Sequence, residues 1–297
     1  MRDVITGLSE RGTEFYPDAP LSRYSSFRIG GSADLYILPR SEDELACVLS
    51  LLAESGIKTL VTGNMTNLLF SDEGYRGAVV SLKRMCAVSV RGNTVTAEAG
   101  ASLSSVADTA RRNSLSGFEP LFGIPGTVGG AVFMNAGAFG SSVSDILVSS
   151  RYIKDGGTFT LKKEDHAFSY RDSAYRTLGG TIISASFELT PGDGGEISRR
   201  MSEIIAKRSA SQPLDMPSAG SVFKRPEGHF AGKLIEDAGL KGFSCGGAQV
   251  SVKHAGFIVN AGGATAADVK ALIAAIKKRV YEDSGVRLEE EIITVEP

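Results

Sequence analysis

The chain has 297 residues, more than one domain usually holds, so we expect two or three domains around separate hydrophobic cores. Its net charge of −2, with 42% hydrophobic residues, predicts an ordinary soluble protein and no binding of nucleic acid or of an anionic membrane surface. The three cysteines and three histidines lack the spacing of a disulfide framework or a zinc site, and the N-terminus lacks the apolar segment of a signal peptide. We therefore expect a reduced, cytoplasmic protein without a bound metal.

The N-terminal part of the chain predicts a β-α-β unit. Residues 1–20 show no clean period and are expected to be a lead-in. A strand over residues 34–38 is followed by Ser41 and Glu44 at capping-box spacing, by an amphipathic helix, and by a strand over residues 57–61. We expect the two strands to form a parallel pair through a right-handed crossover.

A loop of small and polar residues, Gly63–Phe70, follows this second strand directly, and the next strand is predicted over residues 78–82. Ligands bind at the carboxyl ends of strands in open α/β sheets, and main-chain N–H groups in such a loop can hold an anion. The loop is not a dinucleotide fingerprint, because Leu68–Phe70 is predicted to be extended where that motif requires a helix.

The middle of the chain predicts a mainly antiparallel sheet in a second subdomain. A hairpin turns at Gly92–Asn93, and an amphipathic helix runs from Leu103 to near Asn113. Further strands are predicted over residues 147–153, 158–161 and 181–189.

Between that helix and those strands lies an uncharged, glycine-rich stretch, Gly123–Gly140. It carries six glycines in eighteen residues, and no charged side chain occurs between Glu119 and Asp145. Glycine lets another group approach the main chain closely, so the stretch is typical of main chain wrapped around a ligand. The alternative is a tight turn followed by a buried strand, because glycine motifs are weak by themselves.

The C-terminal part begins after a boundary at Pro191–Gly195 and predicts a mixed α/β domain. Its last helix is predicted to open at Thr265 with Asp268 at N3. The other elements are helices over residues 197–208 and 231–238 and strands over residues 256–259 and 286–295.

Seven segments together resemble the UDP-N-acetylenolpyruvoylglucosamine reductase family, in the order found there, from about residue 21 to 295. The most specific are Gly-Ile-Pro-Gly-Thr-Val-Gly-Gly with the following Asn-Ala-Gly-Ala, and Ser-Ala-Gly-Ser-Val-Phe-Lys. The segments are Tyr24–Gly31, Gly63–Leu69, Gly123–Gly140, Tyr170–Ser173, Ser218–Pro226, Gly247–Ser251 and Leu288–Glu291.

The resemblance implies an α+β chain with a two-subdomain FAD-binding fold, similar to that of the PCMH/vanillyl-alcohol-oxidase proteins, and a C-terminal α/β substrate-binding domain. We expect FAD-binding subdomain 1 over residues 1–83, FAD-binding subdomain 2 over 84–195, and the substrate-binding domain over 196–297. The expected protein is a monomer that acts in peptidoglycan synthesis, and thus in cell shape and cell division.

The implied reaction is reduction of UDP-N-acetylenolpyruvoylglucosamine to UDP-N-acetylmuramate by NADPH through noncovalent FAD. By the resemblance, Ser221 is the proton donor, and Arg171 and Glu291 assist at the enolpyruvyl group. Hydride addition to an unsaturated carboxylate places negative charge on the α-carbon and the carboxylate, which a guanidinium can stabilise. A serine is a weak acid, so its use requires a nearby positive charge, which Lys224 or Arg225 could supply. Glutamate fits a general acid/base role.

The same resemblance assigns the binding residues. The substrate residues are Lys224, Arg225, Arg208 and Gln249. The cofactor residues are Gly63, Asn64, Met65, Thr66, Asn67 and Leu68 in the first loop and Gly123, Ile124, Pro125, Gly126, Thr127, Gly129, Gly130, Ala131, Asn135, Ala136 and Gly137 in the second.

From the residues alone, each catalytic candidate has an ordinary alternative. Arg171 beside Asp172 is typical of a solvated or ion-paired arginine, and Ser221 of a turn hydroxyl. Strand alternation puts Glu289 and Glu291 on one face and does not choose between them; the family's final Leu-Glu-x-Glu matches Glu291.

Three departures from the family pattern bear on the site. Met65 and Thr66 stand where the first loop commonly has Gly and Ser, and a left-handed Met65 would cost about 1 kcal/mol. The loop is therefore either reshaped or does not need a positive φ there. Arg225 stands where one subgroup has Asn, and residues 177–180 leave no room for the tyrosine loop of the longer subgroup, so the chain resembles the shorter one.

Two other functions fit parts of the pattern. An oxidase of the same flavin-binding superfamily often tethers FAD through a histidine in the first loop, but Gly63–Phe70 has none. A nucleotide-binding regulatory protein that kept the fold would not need Arg171, Ser221 and Glu291 together.

Overall fold

The computed structural model describes the whole chain, from Met1 to Pro297. No helix in it combines the length and the apolar character needed to cross a membrane. The helices are α1 (Arg2–Glu10), α2 (Glu42–Glu54), α3 (Leu103–Arg112), α4 (Val128–Phe133), α5 (Val143–Ile146), α6 (Tyr175–Leu178), α7 (Gly194–Ser211), α8 (Ala231–Asp237) and α9 (Ala266–Ser284).

The strands are mostly short. They are β1 (Glu14–Pro20), β2 (Ser32–Leu38), β3 (Thr59–Thr62), β4 (Leu68–Phe70), β5 (Tyr75–Ser81), β6 (Val88–Arg91), β7 (Thr94–Glu98), β8 (Leu115–Ser116), β9 (Gly137–Ala138), β10 (Ser141–Ser142), β11 (Leu147–Lys154), β12 (Gly157–Lys162), β13 (Thr181–Glu188), β14 (Thr190–Pro191), β15 (Ser218–Ser221), β16 (Ser244–Cys245), β17 (Ala248–Val250), β18 (Phe257–Asn260) and β19 (Ile293–Val295).

The helix starts predicted from capping residues are confirmed. The Ser41 side chain accepts the Glu44 N–H at the start of α2. Thr265 and Asp268 form a capping box at the start of α9. In both cases an exposed N-terminal N–H group finds a side-chain acceptor, which favours helix initiation at that residue.

The expected lead-in over residues 1–20 has regular structure, because α1 and β1 lie there. Helix α1 buries Val4 and Leu8, and a methyl group on Gly7 would lie 3.1 Å from Leu51 of α2. The buried face of α1 has only about one apolar side chain per turn over a short helix, so it does not show a clear helical period in the sequence.

The expected parallel pair of β2 and β3 is wrong. The sheet order is β1-β2-β5-β3, so β5 lies between the two strands, and β3 pairs with β5 in parallel. Strand β5 is buried along most of its length, on both faces. Such a strand needs neighbours on either side and covers above and below, which explains its central place.

The chain forms two compact units. Unit 1 consists of residues 1–16, 35–64 and 77–207, and unit 2 consists of residues 17–34, 65–76 and 208–297. The boundaries predicted at residues 83 and 195 stay a prediction.

Unit 1 contains the five-stranded sheet β12-β11-β13-β7-β6, in which every neighbouring pair is antiparallel, as predicted. The hairpin of β6 and β7 turns at Gly92–Asn93. A hydrophobic core that includes Val95, Val106, Val132 and Phe187 belongs to this unit alone.

Unit 2 contains the four-stranded sheet β15-β18-β17-β16 and the parallel pair β19-β4. Its separate core includes Phe27, Val222 and Ile258 and the buried face of α9. The predicted final strand over residues 286–295 is shorter than expected, since β19 begins at Ile293 and only one isolated bridge, Phe223–Glu290, precedes it. In the segment before β19, Glu289 binds Lys224 and Glu290 binds Lys277 of α9.

Candidate active site

Unit 2 brings Ser221 and Glu291 onto adjacent main-chain segments. Ser221 ends β15, and the next residue, Val222, accepts the Glu291 N–H at 2.8 Å. On the other side, Ser221 pairs with Phe257 of β18. The two predicted catalytic residues of the C-terminal region are therefore neighbours, although they are far apart in sequence.

The main chain approaches Ser221 closely at Gly256. A methyl group on Gly256 would lie 3.4 Å from Ser221 Oγ and 3.1 Å from the His254 ring. His254 Nδ1 accepts the Gly256 N–H at 3.1 Å, and burial lowers the pKa of His254. No sequence motif predicted that His254 lies near Ser221. Its position just before the apolar strand β18 was the only available signal.

The charged side chains after Ser221 and around Glu291 have partners in the protein. Lys224 Nζ lies 3.2 Å from Glu289 Oε2, and the Arg225 guanidinium lies 3.9 Å from the centre of the Phe230 ring. Glu290 binds Lys277 of α9 at 2.9 Å. Glu289 and Glu290 thus contact different parts of the chain, the segment after β15 and helix α9. The placement of Glu289 and Glu291 on one face stays a prediction.

The other two predicted substrate residues differ in their surroundings. Gln249 Nε2 donates to Gly242 O at 3.2 Å, just before β16, and to Ser244 Oγ at 3.1 Å, at the start of β16. Arg208, near the end of α7, is only 8% exposed, and its Nε has no hydrogen-bond partner. Burial lowers the pKa of Arg208. A buried cation with an unused donor is unfavourable unless an anion or water binds there.

Arg171 belongs to unit 1 and lies at the tip of a tight turn. Ser169 and Asp172 exchange main-chain hydrogen bonds of 3.2 and 3.3 Å across the turn. Arg171 has φ +58°, a left-handed value that non-glycine residues rarely adopt. Its Nη2 donates to Gly137 O at 3.3 Å, so the guanidinium lies against the end of the glycine-rich stretch.

The two predicted flavin loops touch each other within unit 1. A methyl group on Gly63 would lie 2.0 Å from Thr127 Oγ1, so only glycine fits there. Thr127 is buried and precedes α4, which occupies the middle of the glycine-rich stretch. Neither a continuous strand nor a purely irregular loop forms, because Val128, Ala131 and Val132 bury one face of this short helix.

The rest of the first loop, from Met65 to Leu68, belongs to unit 2. Met65 has φ +52° and is buried, so the position does take the left-handed conformation despite its cost. Asn67 Nδ2 donates to Glu291 O at 3.1 Å, and Asn67 O accepts the Ile293 N–H. The loop therefore joins the segment that carries Glu291.

The residues of unit 1 fit a flavin. Gly63 and Thr127 bring two loops of small residues together, and the stretch Gly123–Gly140 that contains Thr127 has no charged side chain. The hydroxyl of Thr62, directly before Gly63, is buried and has no hydrogen-bond partner. Such a group calls for a partner from outside the chain, which an ordered water or a bound molecule supplies.

Two protein-family models match the chain. The sequence model described as "FAD binding domain" matches residues 33–161. The model described as "UDP-N-acetylenolpyruvoylglucosamine reductase, C-terminal domain" matches residues 212–295.

Whole proteins match along nearly the full chain. UDP-N-acetylenolpyruvoylglucosamine reductase of Streptococcus pneumoniae strain Hungary19A-6 is 45% identical over 293 residues, covering 98% of this chain and 96% of the relative. The enzyme of strain JJA has the same identity and coverage. The crystal structure of UDP-N-acetylenolpyruvylglucosamine reductase from Thermus caldophilus superimposes with a TM-score of 0.81 at 34% identity, covering 95% of this chain and 98% of that one. The chain therefore belongs to the UDP-N-acetylenolpyruvoylglucosamine reductase family, flavin oxidoreductases that use FAD and NADPH in peptidoglycan precursor synthesis.

Proposed function

We propose that Ser221, Glu291 and Arg171 carry the proton and charge chemistry by which this chain reduces UDP-N-acetylenolpyruvoylglucosamine to UDP-N-acetylmuramate. The observation that supports this most directly is the hydrogen bond from the Glu291 N–H to Val222 O, which joins the serine strand to the glutamate segment. The loops Gly63–Leu68 and Gly123–Gly137 would hold FAD, which, with NADPH as the reductant, would supply the hydride for the enolpyruvyl double bond.

Ser221 donates the proton that completes the reduction. After the hydride has been added, negative charge lies on the α-carbon and its carboxylate, and the α-carbon needs a proton. The Ser221 hydroxyl has only a weak hydrogen bond, to Phe223 O two residues further on, at 3.5 Å. It can therefore turn toward a substrate without breaking a strong bond.

Arg171 and Glu291 assist this step. A guanidinium stabilises the carboxylate charge that develops, and it does so best when it is already oriented. Glu291 acts as a general acid/base next to the serine strand. Both of its main-chain polar groups are hydrogen-bonded, to Val222 O and from Asn67 Nδ2, so the direction of its side chain is well defined.

The substrate's diphosphate binds to basic groups of unit 2. Arg208 is the strongest candidate, since its buried Nε is a hydrogen-bond donor without a partner. Lys224, Arg225 and Gln249 complete the proposed substrate set. The cofactor set is the two loops Gly63–Leu68 and Gly123–Gly137.

The finer assignments rest on the sequence. We propose that the protein is a monomer in the cytoplasm, that NADPH is its reductant, and that residues 1–83, 84–195 and 196–297 act as two FAD-binding subdomains and a substrate-binding domain.

Two half-reactions test the proposed function. The purified protein, reduced anaerobically with NADPH, should be reoxidised on addition of UDP-N-acetylenolpyruvoylglucosamine; a protein that stays reduced would refute the reductase function. Ser221→Ala should leave reduction by NADPH unchanged and slow reoxidation by about 100-fold or more. Ser218→Ala on the same strand is the matched control and should leave both rates unchanged. Equal loss in both half-reactions of Ser221→Ala would mean that the serine is structural.

A further inference from the structure

Each of the two flavin loops contains an asparagine whose side-chain amide donates to a main-chain oxygen at or near a proposed catalytic residue. Asn67 donates to Glu291 O, and Asn135 donates to Ser169 O, two residues before Arg171. We propose that Asn67 and Asn135 are positioning residues: Asn67 orients Glu291, and Asn135 orients Arg171. This inference rests on the proposed roles of Glu291 and Arg171 and adds residues that act through them.

In unit 2, Asn67 fixes the segment around Glu291. Its Nδ2 donates to Glu291 O at 3.1 Å, and its main-chain oxygen accepts the Ile293 N–H at 3.0 Å. The Glu291 N–H is bound on the other side by Val222 O at 2.8 Å. Since the peptide groups on both sides of Glu291 are held, the direction of its Cα–Cβ bond is set by Asn67 and Val222 together.

The loop that carries Asn67 is itself attached to the strand of Ser221. Ser26 Oγ donates to Ser218 O at 2.8 Å and lies 3.4 Å from Met65 O. The loop Met65–Leu68 is therefore joined to β15 through Ser26 and to the glutamate segment through Asn67. A change at Asn67 would release the glutamate while leaving the serine strand in place.

In unit 1, the Asn135 side chain is hydrogen-bonded to the turn that carries Arg171. Its Nδ2 donates to Ser169 O at 2.9 Å, and its Oδ1 accepts the Ser144 N–H at 3.0 Å. Asn135 is 7% exposed and has φ +41°, a conformation that asparagine tolerates better than most residues. The main chain two residues further on, at Gly137 O, accepts a hydrogen bond from the Arg171 guanidinium.

The turn needs such support because Arg171 is left-handed. A left-handed arginine is about 1 kcal/mol less favourable than a right-handed one and persists only where the surroundings fix it. Ser169 O receives the Asn135 amide, Ser173 Oγ donates to Phe133 O at 2.8 Å, and Arg171 O accepts from Arg176 at 3.1 Å. Asn135 thus contributes the side-chain bond that reaches the first residue of the turn.

The test uses the flavin-loaded protein and removes the amide donor without changing the shape of the side chain. Asn67→Asp and Asn135→Asp keep Oδ1 and lose the N–H groups. Both should slow reoxidation by UDP-N-acetylenolpyruvoylglucosamine at saturating substrate by about 10- to 100-fold, the effect of displacing a catalytic group by about 1 Å. With FAD added to saturation and rates expressed per bound flavin, the substrate concentration at half-maximal rate and the rate of reduction by NADPH should each stay within about twofold. Flavin content is measured separately, because both asparagines lie in the proposed cofactor loops.

Asn260→Asp is the matched control. Asn260 Nδ2 also donates to a main-chain carbonyl, Phe27 O, at 3.3 Å, but Phe27 is neither a proposed catalytic residue nor within two residues of one in the chain. Its reoxidation rate should equal that of the unchanged protein. If Asn260→Asp slowed reoxidation as much as the two test variants, the effect would be general loosening and the inference would be wrong.

Loss of flavin from the Asp variants, with normal reoxidation of the fraction that keeps it, would show cofactor contacts only and would overturn the inference. If either variant folds poorly, as judged by the melting temperature of the flavin-free protein, Asn67→Ala replaces Asn67→Asp and Asn135→Gly replaces Asn135→Asp. Glycine relieves the positive φ at residue 135.

Arg171→Lys and Glu291→Gln are measured in parallel. If they do not slow reoxidation, the proposed roles of those residues fail; if they do while the asparagine variants do not, only the positioning inference fails.

Discussion

At the scale of single residues, Arg171 should be a site where function and stability conflict. Its φ of +58° is a conformation that glycine adopts without strain. We expect Arg171→Gly to raise the free energy of unfolding by about 1 kcal/mol relative to Arg171→Ala, because alanine keeps the left-handed strain. Both variants should reduce the substrate-dependent reoxidation rate to a similar extent, since both lack the guanidinium. Urea unfolding of the two variants gives the comparison, and equal stabilities would show that the turn is unstrained.

His166 should make the stability of the protein depend on pH. It is fully buried, its Nδ1 donates to Lys162 O at 2.7 Å, and Ser150 Oγ lies 2.7 Å from its Nε2. Burial lowers the pKa of His166 below its ordinary 6.5, so the unfolded chain takes up a proton more readily than the folded protein does. The free energy of unfolding should therefore be highest above pH 6.5 and fall as the pH drops through the lowered pKa.

The measurement is urea unfolding in a series of buffers from about pH 7.5 to about pH 5. His166→Asn should be less stable throughout but show a smaller loss over this range. His254 also has a pKa lowered by burial. The dependence of the free energy of unfolding on pH should therefore be weaker still in the double variant that carries both His166→Asn and His254→Asn. An unchanged slope in His166→Asn would show that His166 does not cause the dependence.

At the alkaline end, burial raises the pKa of Tyr175 to about 12. The unfolded chain therefore loses this proton more readily than the folded protein does, and the free energy of unfolding should fall again above pH 10.

At the scale of elements, the N-terminus of α9 is held by one local and one distant carboxylate. Thr265 and Asp268 form the capping box, and Asp72 accepts the N–H groups of Ala266 and Ala267 at 2.7 and 3.0 Å. We expect Asp72→Ala to reduce the free energy of unfolding by about 2 kcal/mol, because two charge-assisted bonds are lost. Thr265→Ala should cost about 1 kcal/mol. Thr265→Ser keeps the hydroxyl and serves as the control. A smaller effect of Asp72→Ala than of Thr265→Ala would contradict this order.

The same helix end shows what the sequence could and could not predict. Thr265 and Asp268 are three residues apart, so their pairing follows from local spacing and was predicted. Asp72 reaches the helix from a loop far away in the chain, and no local pattern reports such a contact. The central place of β5 was missed for the same reason, since strand order depends on which faces become buried. Likewise, motif resemblance placed Asn67 and Asn135 among cofactor residues, but the direction of each amide depends on tertiary contacts.

At the scale of the whole molecule, each unit has its own core and a different part of the proposed chemistry. Unit 1 contains Arg171, Gly63, Asn64 and the glycine-rich stretch, and unit 2 contains Ser221 and Glu291. Family resemblance could predict these residues because the motifs are local. It could not predict that the first flavin loop changes from unit 1 to unit 2 between Asn64 and Met65, since that division follows from packing.

Removing FAD should lower the stability of the folded protein by mass action. A ligand that binds only the folded state stabilises it by RT ln(1 + [L]/Kd), about 2.7 kcal/mol when free FAD is 100 times its Kd. The melting temperature of flavin-free protein should therefore rise steadily with the logarithm of added FAD above the Kd, which is measured separately by titration. Gly63→Ala should abolish this rise, because its methyl group would overlap the Thr127 hydroxyl and displace the loops. Gly194→Ala is the control, because the nearest atom to its methyl group would be 3.9 Å away. A melting temperature that rises equally in both variants would show that Gly63 and Thr127 do not form part of the flavin site.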